Sequence, residues 1–145
     1  MGGPKTLLGF DYGYRRIGVA VGQQLTATAT GLTTLDARDG RPDWPAVDAL
    51  VREWAPEAFV VGVPRHRDGS AHAMTRAAER FARQLEGRYR LPVHLEDERL
   101  TSREAERLLA GRPGSPRKVQ AKAEIDKLAA RIILQSWLDS HGDNP

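Results

Sequence analysis

The chain has 145 residues, 40% hydrophobic and 28% charged, with a formal net charge of +3 and no cysteine. That length suits a single domain over residues 1–145 with a real buried core, and the lack of cysteine excludes disulfides and thiolate metal centres. The mild positive charge is compatible with an anionic partner without requiring one. No signal-peptide pattern opens the chain and no apolar run reaches membrane-spanning length, so the expectation is a cytoplasmic protein with no membrane partner.

In chain order, residues 6–12 read as a strand and residues 16–22 as its hairpin partner, with Gly13 easing the reversal. The threonine-rich stretch 27–35 suits a third strand, followed by a turn at Arg38-Asp39-Gly40. Asp43 caps a helix whose Val47, Leu50, Val51 and Trp54 keep helical spacing, and Pro56 ends it. The continuous apolar run 58–64 reads as a buried strand. A helix over about residues 70–89 follows, then a strand over 92–97 and a capping box, Thr101-Ser102-Arg103-Glu104, that opens another helix. The Gly- and Pro-rich stretch GRPGSPRKVQ reads as a loop, and a last helix runs from about Ala121 to Leu138. Three strands joined by short turns, then strands alternating with helices, imply an α/β fold. Its mixed sheet is antiparallel at one edge and parallel towards the other.

Three acidic positions stand out. Asp11 ends the first strand, where an Asx turn is the alternative to a ligand role. Asp97 and Glu98 end the last strand, where acids also favour a following helix N-terminus. Asp126 has Ala129, Ala130 and Ile133 three, four and seven residues on, which turns it inward. An ion pair with Lys122 is its structural alternative. If the first and last strands end at one sheet edge and the last helix reaches it, the three acids converge. Their mutual repulsion then calls for a cation. An all-oxygen donor set suits Mg²⁺ or Mn²⁺, and such a site is made for phosphoryl transfer.

FDYGYRRIGVAVG, the GVP…DG segment at 62–69, DERLTS at 97–102 and IDKLAARIILQSWL at 125–138 together resemble the YqgF/RuvX family. Its members are described as Holliday-junction resolvases or pre-16S rRNA nucleases. The resemblance covers nearly the whole chain. It implies an RNase H-like fold, a five-stranded mixed sheet with its first three strands antiparallel and helices around it. It also implies a divalent-metal nuclease whose acidic triad is Asp11, Glu98 and Asp126, leaving a 5′-phosphate and a 3′-hydroxyl. Strand alternation keeps Asp97 open as the second acid, because it shares parity with Val93 and Leu95. The chain departs from the family at Arg65-His66-Arg67 and at Glu124, both where substrate would pass.

With a nucleic-acid partner, either branched or single-stranded DNA or precursor 16S rRNA, Arg15 and Arg16 beside Asp11 become phosphate contacts, as do Arg117, Lys118 and Lys122. From Arg112 to Lys122 there is no acidic residue, although a solvated loop explains that as well. Gly9 and Gly13 leave room near Asp11 for a nucleic-acid backbone. Tyr12 and Tyr14 are base-stacking candidates, Tyr12 the one expected to pack instead. Trp44, Trp54 and Trp137 read as packing. Two-strand cleavage of a junction would need a homodimer. The rival readings are an ATPase of the actin and sugar-kinase type, for which the chain is too short, and a non-catalytic nucleic-acid or ribosome-assembly module of the same fold.

Overall fold

The computed structural model describes residues 5–64, 73–97 and 118–141, the last segment with side chains from residue 123 onward. Its strands are β1 (Thr6–Asp11), β2 (Arg16–Gln23), β3 (Thr28–Arg38), β4 (Arg41–Pro42), β5 (Ala58–Val63) and β6 (Val93–Asp97). Its helices are α1 (Trp44–Trp54), α2 (Ala73–Tyr89) and α3 (Lys118–His141). Among the described residues the strands form one sheet in the order β4-β3-β2-β1-β5-β6. β1, β2 and β3 pair antiparallel, while β5 pairs parallel with β1 and β6 parallel with β5. This is the mixed sheet expected from the element order.

The sheet has six strands rather than the five that the family resemblance implies, because the turn expected at Arg38-Asp39-Gly40 is a tight hairpin that adds β4. Asp39 and Gly40 both adopt positive φ, 50° and 81°. Two such residues reverse a chain with the twist of a hairpin, so Arg41 returns to pair with Arg38. The last helix also starts earlier than expected, at Lys118. The capping box at 101–104 lies outside the described residues.

Strand alternation sorts the core into two layers. Leu8, Phe10, Ile17, Val19, Phe59 and Val61 face α1 and α2, where they pack with Val47, Ala78, Phe81 and Leu85. Leu7, Ala20, Ala58 and Val60 face α3 and pack with Ala130, Ile133, Leu134 and Leu138. Each fully buried Leu or Phe in these layers contributes roughly 1.5–3 kcal/mol. Trp44 and Trp54 pack against the first layer and Trp137 belongs to the second. Asp43 caps α1 by accepting from the Ala46 amide at 3.3 Å, and Ala55 closes the helix in the left-handed conformation just before Pro56. No helix among the described residues is long and apolar enough to cross a membrane.

β1, β5 and β6 run parallel and end at the same edge of the sheet, which puts Asp11, Val63 and Asp97 at that edge. In open α/β sheets this carboxyl edge is where ligands bind.

Candidate active site

Asp11 is the last residue of β1. Leu7 faces α3 while Leu8 and Phe10 face the other layer, so alternation turns Asp11 towards α3. Its cross-strand partner is Gly18, on the same face and about 5 Å away. A Cβ on Gly18 would stand only 2.0 Å from the Asp126 carbonyl oxygen. The absence of that side chain is what lets the α3 backbone descend onto β2 here. Asp11 and Asp126 therefore lie to either side of one glycine, on one face, at the carboxyl edge.

The start of α3 is pinned twice more. Thr34 Oγ1, on the strand beside Gly18, donates to the Ala123 carbonyl at 2.8 Å. Arg16 Nε donates to Asp126 Oδ2 at 2.6 Å, with the Asp126 side chain 19% exposed and that of Arg16 35%. The inward turn of Asp126 read from its spacing is present, and it forms its ion pair with Arg16. Lys122 lies in α3 with its side chain outside the described set. Glu124 pairs with Lys127 at 2.9 Å, one turn along the same helix.

The hairpin tip between β1 and β2 is braced by the tip between β3 and β4. The Tyr14 carbonyl accepts from the Gly40 amide at 3.0 Å and the Arg15 carbonyl from the Ala37 amide at 2.9 Å. Tyr12 is buried and its hydroxyl donates to the Gly40 carbonyl. Burial raises its pKa above the usual phenol value, with Tyr14 adding to the shift. Tyr12 thus packs, as expected, while Tyr14 is 47% exposed and Arg15 is exposed beside it.

Several expectations meet the structure differently. The room beside Gly9 is filled by α3: a Cβ there would stand 2.8 Å from Leu134 Cβ, so the missing side chain serves helix packing rather than nucleic-acid approach. Asp97 alternates with Glu96 and shares the parity of Val93 and Leu95, which sets it on the face opposite Asp11 and Asp126. Glu98 and Arg117 lie outside the described residues, as do Arg65, His66 and Arg67. Lys118 and Lys122 lie at the start of α3.

One acid escaped the sequence reading. Glu96 pairs with Gly62 on the α3 face, where it accepts from Ser136 Oγ at 2.7 Å. Ser136 is ten residues beyond Asp126, about 15 Å along the helix, so Glu96 staples β6 to α3 at a distance from the Asp11–Asp126 pair. Alternation along VHLED holds this information, but only once it is known which face α3 covers.

The chemistry of the donor set fits a hard divalent cation. Two carboxylates from distant elements share one face, and among the described residues the histidines stand elsewhere. His94 and His141 stack instead on Trp137, at the opposite end of α3. Among the described residues no three acids or histidines form a group that could hold a metal ion.

A sheet in which β4, β3, β2 and β1 pair antiparallel and β5 and β6 continue parallel to β1, with a last helix bringing an acid to the end of β1, defines an RNase H-like fold. The structure is similar to a Thermus thermophilus RuvC in complex with a Holliday junction substrate (TM-score 0.53, 16% identity, 94% of each chain). It is also similar to the fowlpox virus Holliday junction resolvase (TM-score 0.55, 12% identity, 93% of this chain and 99% of that one). At such identities the likeness is one of fold. The model of the family described as "RuvX: Holliday junction resolvase" matches residues 5–140, and the chain belongs to that family. It is 51% identical over 140 residues to a protein of Azotobacter vinelandii named "Putative pre-16S rRNA nuclease", covering 95% of this chain and 96% of the relative. A protein of the same name from Saccharophagus degradans is 43% identical over 143 residues, covering 97% and 98%.

Proposed function

We propose that this protein is a divalent-metal-dependent nuclease that hydrolyses phosphodiester bonds in nucleic acid, with Asp11, Glu98 and Asp126 as the residues that hold Mg²⁺ or Mn²⁺. The observation that carries this reading is the sharing of one sheet face by Asp11 and Asp126 on either side of Gly18. Our choice of Glu98 over Asp97 as the third acid is supported by the alternation of Asp97 onto the other face. When bound, a divalent ion in such a site lowers the pKa of a water and stabilises charge on the leaving oxygen.

The chain's own groups bind and orient. Asp11 and Asp126 present carboxylate oxygens from rigid elements, β1 and α3. The braced hairpin tip holds Arg15 exposed beside Asp11, where it contacts a substrate phosphate. Lys118 and Lys122 at the start of α3, with Arg117 before them, extend that contact along the strand. Tyr14, half-exposed next to Arg15, offers a ring to an unstacked base.

The names of the relatives favour precursor 16S rRNA as substrate, while the family description favours branched DNA. Both belong in one test. Labelled precursor rRNA, a four-way junction and single-stranded DNA are incubated with Mn²⁺ or Mg²⁺ and with wild type or Asp126→Asn. Metal-dependent cleavage of one substrate class, lost in the variant while anisotropy still reports binding, is the expected result. Binding without cleavage by wild type, across all metals and substrates, would replace the nuclease with a non-catalytic module.

A further inference from the structure

Arg16 sits beside Asp11 in the sequence and invites reading as a phosphate contact. Its geometry says otherwise. β2 alternation turns Arg16, Gly18 and Ala20 to the α3 face, and the guanidinium reaches Asp126 Oδ2 at 2.6 Å. Arg16 and Asp126 are 110 residues apart in the chain. Arg16 is cross-strand partner to Asp36, yet its guanidinium donates to the helix. That bond, the Thr34–Ala123 bond and the seat on Gly18 fix the first part of α3 from three adjacent points.

Resting on the nuclease reading above, we propose that Arg16 is a positioning residue for Asp126 rather than a ligand of the substrate. By holding Oδ2 it fixes the carboxylate rotamer, so that Asp126 and Asp11 would be the residues that hold a divalent ion here. A ligating carboxylate is generally held by such an outer hydrogen bond, and losing the bond typically costs 10–100-fold in metal affinity or activity.

The charge of Arg16 acts in the opposite sense, which makes the proposal testable. A cation beside the site repels Mn²⁺, so if charge were all that mattered, deleting it would tighten metal binding. Positioning requires that deletion weaken it.

The experiment measures Mn²⁺ binding by isothermal titration and by electron paramagnetic resonance of the free ion, on wild type, Arg16→Met, Arg16→Lys and Asp11→Asn. Steady-state cleavage and melting are recorded on the same samples. Arg16→Met should bind Mn²⁺ roughly 10-fold more weakly and lose kcat by about 10–100-fold, with substrate KM changed by less than about 3-fold. Arg16→Lys, which keeps a donor and the charge, should recover part of both. Should Arg16→Met unfold, Arg16→Lys against wild type carries the comparison: intermediate Mn²⁺ affinity and kcat at unchanged KM support positioning, and wild-type values for both overturn it. Tighter or unchanged Mn²⁺ binding in Arg16→Met overturns the proposal, as does an effect confined to KM, which would make Arg16 a ligand of the substrate phosphate. Wild type that binds no Mn²⁺, or binds it equally well with Asp11→Asn, sinks the metal site itself and the proposal with it.

Discussion

The carbonyl of Asp126 rests on Gly18 so closely that a single added carbon there would stand 2.0 Å away. Because Gly18 also pairs with Asp11, the same missing side chain seats the helix and brings together the two acids of the candidate site. Helix packing and site geometry are therefore one feature in this protein, and a change at Gly18 acts on both.

Gly18→Ala should force α3 off β2, destabilising the protein by about 1–3 kcal/mol, as overpacking does, and lowering cleavage by displacing Asp126. Gly87, on the exposed side of α2, has nothing within 4 Å of where its Cβ would lie. Gly87→Ala should instead stabilise by about 0.5–1 kcal/mol and leave cleavage unchanged. Urea denaturation with parallel cleavage assays separates the two, and equal stabilities for the two variants would contradict the close approach at Gly18.

Arg15 is exposed on a tip whose backbone is held by Ala37 and Gly40. Arg15→Ala should therefore leave the fold intact and weaken nucleic-acid binding. The slope of log affinity against log salt should become shallower by about 0.7–0.9, as expected when the protein neutralises one phosphate fewer. An unchanged slope in anisotropy titrations would remove Arg15 from the interface.

Asp48 on α1 accepts from Arg88 Nε at 3.1 Å and Nη2 at 3.0 Å, and from the Tyr89 hydroxyl. The Arg88 hydrogen bonds, with help from Tyr89, lower its pKa to about 2. A folded value below the unfolded one means that Asp48 stabilises the fold above the ordinary carboxylate pKa, and that this is lost as pH falls through about 2. Asp48→Asn should melt lower than wild type at pH 7, with the gap closing between pH about 4 and about 2. A gap that stays constant with pH in thermal melts would show that the carboxylate charge is not what matters. Tyr89 is the counterpart on α2: burial, then its bond to Asp48, pushes its pKa up to about 12.

His94, stacked on Trp137 at 4.7 Å, has its pKa lowered first by burial and then by His141 and Lys5. The unfolded chain therefore takes up a proton before the folded one does, and stability present above the ordinary histidine pKa is lost as pH falls towards the lower folded value. His94→Phe keeps an aromatic face for Trp137 and removes this titration. The fall in melting temperature from pH 7 to pH 5 should be smaller than in wild type, and an equal fall would assign the acid sensitivity elsewhere.

Local pattern determined a good deal of this protein. Apolar runs at 6–12, 16–22 and 58–64, the Asp43 cap, Pro56 and the helical spacing of Val47, Leu50, Val51 and Trp54 all express themselves within a few residues of chain, and the elements form where those signals stand. The inward turn of Asp126 belongs here too, since the spacing to Ala129, Ala130 and Ile133 is a property of one helix. Tertiary structure alone decided what those residues meet. It chose Arg16 as the partner of Asp126, set Leu134 in the space beside Gly9, gave Glu96 to Ser136 and turned Asp97 away. The physical reason is that periodicity tells which residues share a face, whereas the identity of the element covering that face depends on strand order and register, set by interactions between segments up to 110 residues apart.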